Sequence, residues 1–98
     1  MMMECNIGIL LASHGEYCHG AKNSLEMIIG DCPDLLCVSV TPSMNNEDVQ
    51  VQMREAYELL KKECSEVLIF TDLLCGSPNH AAVRLMMSRE DITVVTGL

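Results

Sequence analysis

Four short apolar runs constrain the fold of this chain more than any other feature. They cover residues 7–12, 35–40, 67–70 and 92–95. Each run is nearly continuous rather than alternating between apolar and polar residues, which is typical of strands buried on both faces. Because longer segments separate the runs, the pattern predicts a parallel sheet with crossover helices.

The intervening segments have helical periodicity. The first segment ends at Gly30. Its predicted apolar face consists of Tyr17, Ala21, Leu25 and Ile28. The second begins at a cap, Asn45 or Asn46. Its apolar stripe consists of Val49, Met53, Ala56 and Leu60. The third begins at Ser77, interpreted as a hydroxyl cap with Pro78 at the first helical position, and extends to about residue 87.

The element order β-α-β-α-β-α-β predicts an α/β fold with three layers. We expect a parallel sheet of four strands in the order 2-1-3-4, right-handed connections and helices on both faces. With 98 residues and 49% apolar content, the chain is predicted to form a single domain over residues 1–98.

Charge excludes some classes of partner. Six Lys and Arg against fourteen Asp and Glu give a net charge of -8, whereas nucleic acids and anionic membranes attract positive surfaces. No apolar run approaches the length of about 20 residues needed to span a membrane. The start of the chain also lacks the basic segment of a secretory signal, so we expect a cytoplasmic protein.

The six cysteines form no C-x-x-C motif, which argues against a zinc knuckle or a thioredoxin-type pair. We interpret them as reduced packing residues, as is usual in the cytosol. We expect neither a cofactor nor a metal requirement, since no cluster of metal ligands accompanies the candidate site described next.

Two titratable residues follow neighbouring strands of the predicted sheet. The first strand ends in Ser13-His14-Gly15 and the third in Thr71-Asp72. In the order 2-1-3-4 these ends lie side by side at the edge where such sheets bind ligands. A carboxylate that accepts one ring N–H leaves a lone pair on the other nitrogen, which suits a nucleophilic histidine.

The turn Gly76-Ser77-Pro78 leads from this edge into the third helix. A helix N-terminus attracts anions, so the combination suggests phosphoryl transfer through a phosphohistidine. From the residues alone, a second interpretation is equally open: His14 as a hydrogen-bonded loop residue and Ser77 as a simple cap. His80, in the same helix, is expected to face solvent.

Several segments, in order, resemble the EIIA domain of the mannose-family phosphotransferase system. They are ILLASHG at residues 9–15, GAKNSLEMIIG at 20–30, FTDL at 70–73, GSP at 76–78, NHAAVRL at 79–85 and VVTG at 94–97. The resemblance covers nearly the whole chain. SHG alone is a weak motif, but its combination with TDL, GSP and VVTG is specific.

The resemblance implies that His14 accepts a phosphoryl group from the phosphocarrier protein HPr and passes it to an EIIB domain for sugar uptake. Asp72 is then the orienting carboxylate. The expected phosphoryl-binding residues are Ser13, Gly15, Gly76 and Ser77. Such a phosphotransferase component meets the membrane only indirectly, through a permease complex.

Other functions stay open at this point. The phosphocarrier subunit of dihydroxyacetone kinase shares the same motifs, so that kinase is an alternative recipient. A flavodoxin-like module that binds an anion or small ligand without chemistry is another. Mutual reach of His14 and Asp72 with a bound anion nearby would favour the carrier, whereas an apolar pocket with His14 turned away would favour the module.

The sequence departs from the family pattern in two places. Leu74 and Cys75 replace an aromatic residue and a glycine in the turn before Gly76. The family domain also continues, beyond the position of Leu98, through a loop, a helix and an edge strand that helps to build a dimer. We therefore expect a sheet without that C-terminal edge element and an exposed outer strand, with homodimerisation left open.

Overall fold

A computed structural model of the protein describes residues 7–74 and 76–98. Four strands alternate with three helices, as predicted. The strands are β1 (Ile7–His14), β2 (Leu35–Val40), β3 (Glu66–Thr71) and β4 (Ile92–Thr96). The helices are α1 (Tyr17–Ile29), α2 (Asn46–Lys61) and α3 (Ser77–Met87).

The sheet has the order β2-β1-β3-β4 with every pairing parallel. The predicted fold class is therefore confirmed. In the register of the two central pairings, Ala12 of β1 lies opposite Val38 of β2 and Thr71 of β3. The end of β1 consequently lies between the ends of β2 and β3, at the switch point where strand order reverses.

Helices α2 and α3 cover one face of the sheet, and the main hydrophobic core lies beneath them. Helix α2 begins at a capping box in which the Asn45 side chain accepts from the Asp48 N–H at 2.8 Å and Asp48 accepts from the Asn45 N–H at 3.0 Å. Its predicted stripe is confirmed. All four residues are buried: Val49, Met53, Ala56 and Leu60.

Of the described helices, only α1 covers the other face, above β1 and β2. Here the predicted apolar face is wrong for two of its four residues, because Tyr17 is 54% and Ile28 is 79% exposed. The buried face instead centres on Cys18, with Ala21 and Leu25 packed beside it. The cause is local: the Ser13 hydroxyl accepts a hydrogen bond from the Cys18 N–H at 2.8 Å, which sets the rotation of the first turn.

Part of the sheet on the α1 side lies outside the reach of that helix. Thr93 and Val95 of β4 are exposed there, as the prediction for the outer strand required.

Four cysteines of the described residues are free thiols, of which Cys18 and Cys64 are buried. Within residues 7–74 and 76–98, no helix is long and apolar enough to cross a membrane.

Candidate functional site

His14 and Asp72 meet at the carboxyl edge of the sheet, as the strand order predicted. His14 is the last residue of β1, and Asp72 directly follows β3. One carboxylate oxygen of Asp72, Oδ2, accepts a hydrogen bond from the His14 backbone N–H at 2.9 Å. The same oxygen lies 3.0 Å from the ring nitrogen Nδ1 of His14. The histidine is therefore held through both its main chain and its ring.

This contact determines which ring nitrogen carries the proton. An ionised carboxylate is only an acceptor, so Nδ1 must donate, and the lone pair is left on Nε2. The His14 side chain is 50% exposed, whereas that of Asp72 is 14% exposed. An imidazole held on one side and open to solvent on the other is suited to nucleophilic attack on an incoming group.

The carboxylate of Asp72 is kept ionised by its hydrogen bonds. Burial by itself raises the pKa of this group, but the bonds from the His14 N–H, the His14 ring and the Leu73 N–H outweigh burial. The net effect is a pKa below the usual value for aspartate. The Leu73 N–H donates to the second oxygen, Oδ1, at 2.9 Å, so both oxygens are engaged.

Gly76 brings the start of α3 against the His14 ring. A β-carbon at this position would lie 3.1 Å from Cε1 of His14, which is closer than such atoms normally approach. The Gly76 N–H donates to the Leu73 carbonyl at 3.2 Å, and its own carbonyl accepts from the His80 N–H at 2.8 Å. Gly76 therefore allows the backbone at the start of α3 to approach the His14 ring closely. Its N–H is not available to a ligand, because it is already bonded to the Leu73 carbonyl.

The predicted cap of α3 is wrong by one residue. Gly76 is the N-cap, Ser77 is the first helical residue, and no side chain of the described residues caps the helix. Proline at position 78 has no N–H to offer. Among the described residues, the Ser77 N–H has no protein acceptor, so the backbone and hydroxyl of Ser77 are the donors that α3 offers at its start.

Ser13 and Gly15 flank His14 but are committed to other contacts. Ser13 is fully buried, and its hydroxyl oxygen is the acceptor for the Cys18 N–H. The Gly15 N–H donates to the Val40 carbonyl at 2.8 Å, and its carbonyl accepts from the Ser39 hydroxyl. Gly15 has φ 60°, a conformation that glycine adopts without strain. These residues shape the turn that presents His14.

Sequence reasoning missed a buried polar pair behind the site. The side-chain amide of Asn79 donates to the Thr71 hydroxyl at 3.2 Å, and both residues are buried. The bond joins the first turn of α3 to the end of β3, so it helps to hold Gly76 against His14. The sequence signal for this pair is Asn79, an amide in the first helical turn that directly follows Pro78.

The remaining candidates do not join the His14–Asp72 contact. His80 is exposed and lines a groove of about 440 Å³ between α2 and α3. Leu73 and Leu74 are exposed beside Asp72. Cys75, the other departure from the family turn, lies outside the described residues. In the described part of the chain, no group of three His, Cys, Asp or Glu side chains could hold a metal ion.

Comparison with known proteins decides the family. The family model of the mannose-type EIIA proteins, described as "PTS system fructose IIA component", matches residues 8–98. The chain belongs to this EIIA family. The histidine and carboxylate described above thus lie in an EIIA-type domain of the phosphotransferase system.

Curated relatives are similar along most of the chain. The sorbose-specific EIIA component of Lacticaseibacillus casei is 29% identical over 90 residues, which are 92% of this chain and 64% of that protein. The fructose-specific EIIA component of Bacillus subtilis is 27% identical over 94 residues, 94% of this chain and 62% of that protein. This EIIA-family chain therefore spans less than two thirds of the length of these relatives.

A solved structure gives the same result in three dimensions. The PTS IIA protein associated with the fucose utilization operon of Streptococcus pneumoniae superposes with a TM-score of 0.90 at 31% identity. The match covers 98% of this chain and 72% of that one. The EIIA-type fold of the chain is thus shared over nearly its whole length.

Proposed function

We propose that this chain is a phosphohistidine carrier, and hence a phosphotransferase component, that accepts a phosphoryl group from HPr on Nε2 of His14 and passes it to an EIIB domain. The observation that carries the proposal is the contact between Nδ1 of His14 and Asp72. It leaves the second ring nitrogen as a nucleophile at the open edge of the sheet. The same contact favours a carrier over a flavodoxin-like binding module.

The transfer is a displacement between two imidazoles. The Nε2 lone pair of His14 forms a new N–P bond while the N–P bond to the HPr histidine breaks, and the donor ring keeps the released electron pair. The phosphorylated ring of His14 gains positive charge, which the adjacent Asp72 carboxylate stabilises. Because the transition state of phosphoryl transfer is loose, positioning and electrostatics supply most of the catalysis.

The start of α3 is the proposed cradle for the phosphoryl oxygens. The Ser77 N–H and hydroxyl are available donors beside Gly76, and the positive end of the helix dipole favours an anion there. Ser13, Gly15 and Gly76 support this arrangement by positioning the ring. In the proposal they act through His14 and do not bind the phosphoryl group.

The proposed partners are proteins rather than small sugars. Leu73 and Leu74 present exposed apolar side chains directly beside Asp72, where a docking protein would bury them. The relatives named above serve sorbose or fructose systems, or belong to a fucose operon. We therefore favour the EIIB domain of a sugar permease over dihydroxyacetone kinase as recipient, with transfer taking place in the cytoplasm.

Intact-mass measurement tests the proposal. The protein is incubated with phosphoenolpyruvate, Enzyme I and HPr, and kept alkaline because phosphohistidine is acid-labile. We expect a gain of one phosphoryl group that requires HPr and is lost in His14→Ala. Absence of any gain with active Enzyme I and HPr would contradict the carrier function. Adding EIIB or dihydroxyacetone kinase to the labelled protein then identifies the recipient by loss of the label.

A further inference from the structure

The cysteines are distributed unequally between the two faces of the sheet. Cys64 lies in the core beneath α2 and α3. Cys18, Cys32 and Cys37 all belong to the smaller cluster between α1 and the sheet. Three thiols therefore share the layer between α1 and the sheet.

Two of these cysteines, Cys18 and Cys37, are in contact. The Cys37 thiol donates to the Cys18 carbonyl at 3.5 Å, and the Cys18 thiol donates to the Val38 carbonyl at 3.5 Å. After burial, the neighbouring Cys18 is the next cause of the raised pKa of the Cys37 thiol. One thiol from the first turn of α1 and one from β2 are thus within reach of each other. Cys32 instead donates to the Gly30 carbonyl.

We propose that Cys18 and Cys37 are an oxidation site that forms an intramolecular disulfide with a small disulfide oxidant such as oxidised glutathione. The Cys37 thiolate attacks the oxidant, forming a mixed disulfide and releasing one glutathione thiolate. The Cys18 sulfur then attacks the Cys37 sulfur and releases the second. In balance, two protein thiols are oxidised, one glutathione disulfide is reduced, and the two thiol protons pass to the glutathione thiolates.

Accessibility sets the order of these steps. Cys18 is fully buried, whereas Cys37 is partly exposed and lines an open groove between α1 and α2. The oxidant therefore meets Cys37 first, and Cys18 acts as the resolving thiol. Because the Cys37 thiol already contacts the Cys18 carbonyl, we expect the second step to be fast and the mixed disulfide not to accumulate in the unmodified protein.

The surroundings keep the Cys37 thiol protonated at neutral pH. Burial, followed by the adjacent Cys18, raises its pKa to about 11. Since the thiolate is the nucleophile, the rate of reaction should rise by about tenfold for each unit of pH between 7 and 9. The other charged or titratable side chains near Cys37 are Lys22 and Glu26, with His19 and Glu55 on the walls of the groove.

The cross-link would join the first turn of α1 to β2. In the same turn, the Cys18 N–H donates a hydrogen bond to the hydroxyl of Ser13, the residue before His14. Even so, the oxidation site is a separate proposal, because it stands or falls whether or not His14 carries a phosphoryl group.

Peptide mapping after oxidation tests it. Reduced protein is incubated with oxidised glutathione at pH 7 to 9, alkylated and digested. We expect a Cys18–Cys37 cross-linked peptide in the unmodified chain and in Cys64→Ser, the matched control from the opposite face. Cys18→Ser should instead accumulate glutathione on Cys37, and Cys37→Ser should yield no adduct on Cys18.

Circular dichroism of each variant verifies folding, and the partly exposed Cys37→Ser keeps the test valid if Cys18→Ser does not fold. Persistent glutathione on Cys37 of the unmodified chain would overturn the proposal. So would a cross-link that joins Cys37 to a cysteine other than Cys18, or a rate that does not change with pH.

Discussion

His14 and His80 are both exposed histidines near the carboxyl edge of the sheet, yet their surroundings differ. His14 ends a central strand, has its ring nitrogen 3.0 Å from Asp72, and packs against Gly76. His80 lies on α3 and faces the groove between α2 and α3. Among the described residues, no carboxylate or hydroxyl group bonds to the His80 ring in the way that Asp72 bonds to the ring of His14.

The comparison shows that exposure alone does not make a histidine a phosphoryl acceptor. An unoriented imidazole exchanges its two tautomers and rotates freely, so either nitrogen meets a donor and neither is positioned. A carboxylate bonded to Nδ1 fixes the tautomer and restricts rotation of the ring. The predictions below test whether this difference, rather than histidine chemistry as such, determines which residue is phosphorylated.

The largest expected effect separates the two histidines directly. In the assay with phosphoenolpyruvate, Enzyme I and HPr, His14→Ala should abolish the gain in intact mass, whereas His80→Ala should keep it. The reason is that the site contains one positioned nucleophile. Phosphoryl mass on His14→Ala, lost only when His80 is also replaced, would reverse the assignment.

Removing the carboxylate should make His14 resemble His80. Asp72→Asn keeps the volume and an oxygen acceptor for the His14 N–H but removes the negative charge. We expect the initial rate of labelling to fall by roughly 10- to 100-fold, the range found when the partner that orients a metal-ligating histidine is removed. Stopped time courses of intact mass measure this rate, and a variant that is as fast as the unmodified chain would show that Asp72 has no orienting role.

A smaller effect is expected from crowding the ring. In Gly76→Ala the new β-carbon would meet Cε1 of His14 at 3.1 Å, so the ring must shift by a few tenths of an ångström. Labelling should slow by roughly 2- to 10-fold, because reactivity depends steeply on the position of the attacking atom. Gly20→Ala, at an open position on α1, is the matched control and should label at the normal rate.

The smallest effect concerns pH. The folded pKa of Asp72 is lowered, and an unfolded aspartate titrates at about 3.9. The contribution of this carboxylate to stability is therefore complete above that value and is lost as pH falls through the lower folded pKa. Carbon-detected NMR of the Asp72 carboxyl should give a midpoint below 3.9. A midpoint above that value would mean that burial outweighs the hydrogen bonds.

Most of the architecture could be predicted because it depends on long periodic patterns. The apolar runs define the strands, and the stripe from Val49 to Leu60 defines the buried face of α2. Placing His14 beside Asp72 needed only the strand order, since parallel strands bring their carboxyl ends to one edge.

The errors arose where a single side-chain contact decides local geometry. The bond between the Ser13 hydroxyl and the Cys18 N–H rotates α1 so that Tyr17 points outward, and periodicity contains no such information. Likewise, the Asn79–Thr71 bond joins residues eight positions apart across a turn. The Cys18–Cys37 pair could not be predicted either, because its thiols meet only through packing of α1 on β2.

The central claim is that Asp72 holds Nδ1 of His14 and leaves Nε2 to receive the phosphoryl group. Long-range ¹H–¹⁵N NMR on protein labelled with ¹⁵N-histidine and phosphorylated through HPr tests it most directly, because it distinguishes the two ring nitrogens. The account predicts phosphorus on Nε2 and a retained proton on Nδ1 of His14. Phosphorus on Nδ1, or on a ring other than that of His14, would contradict it.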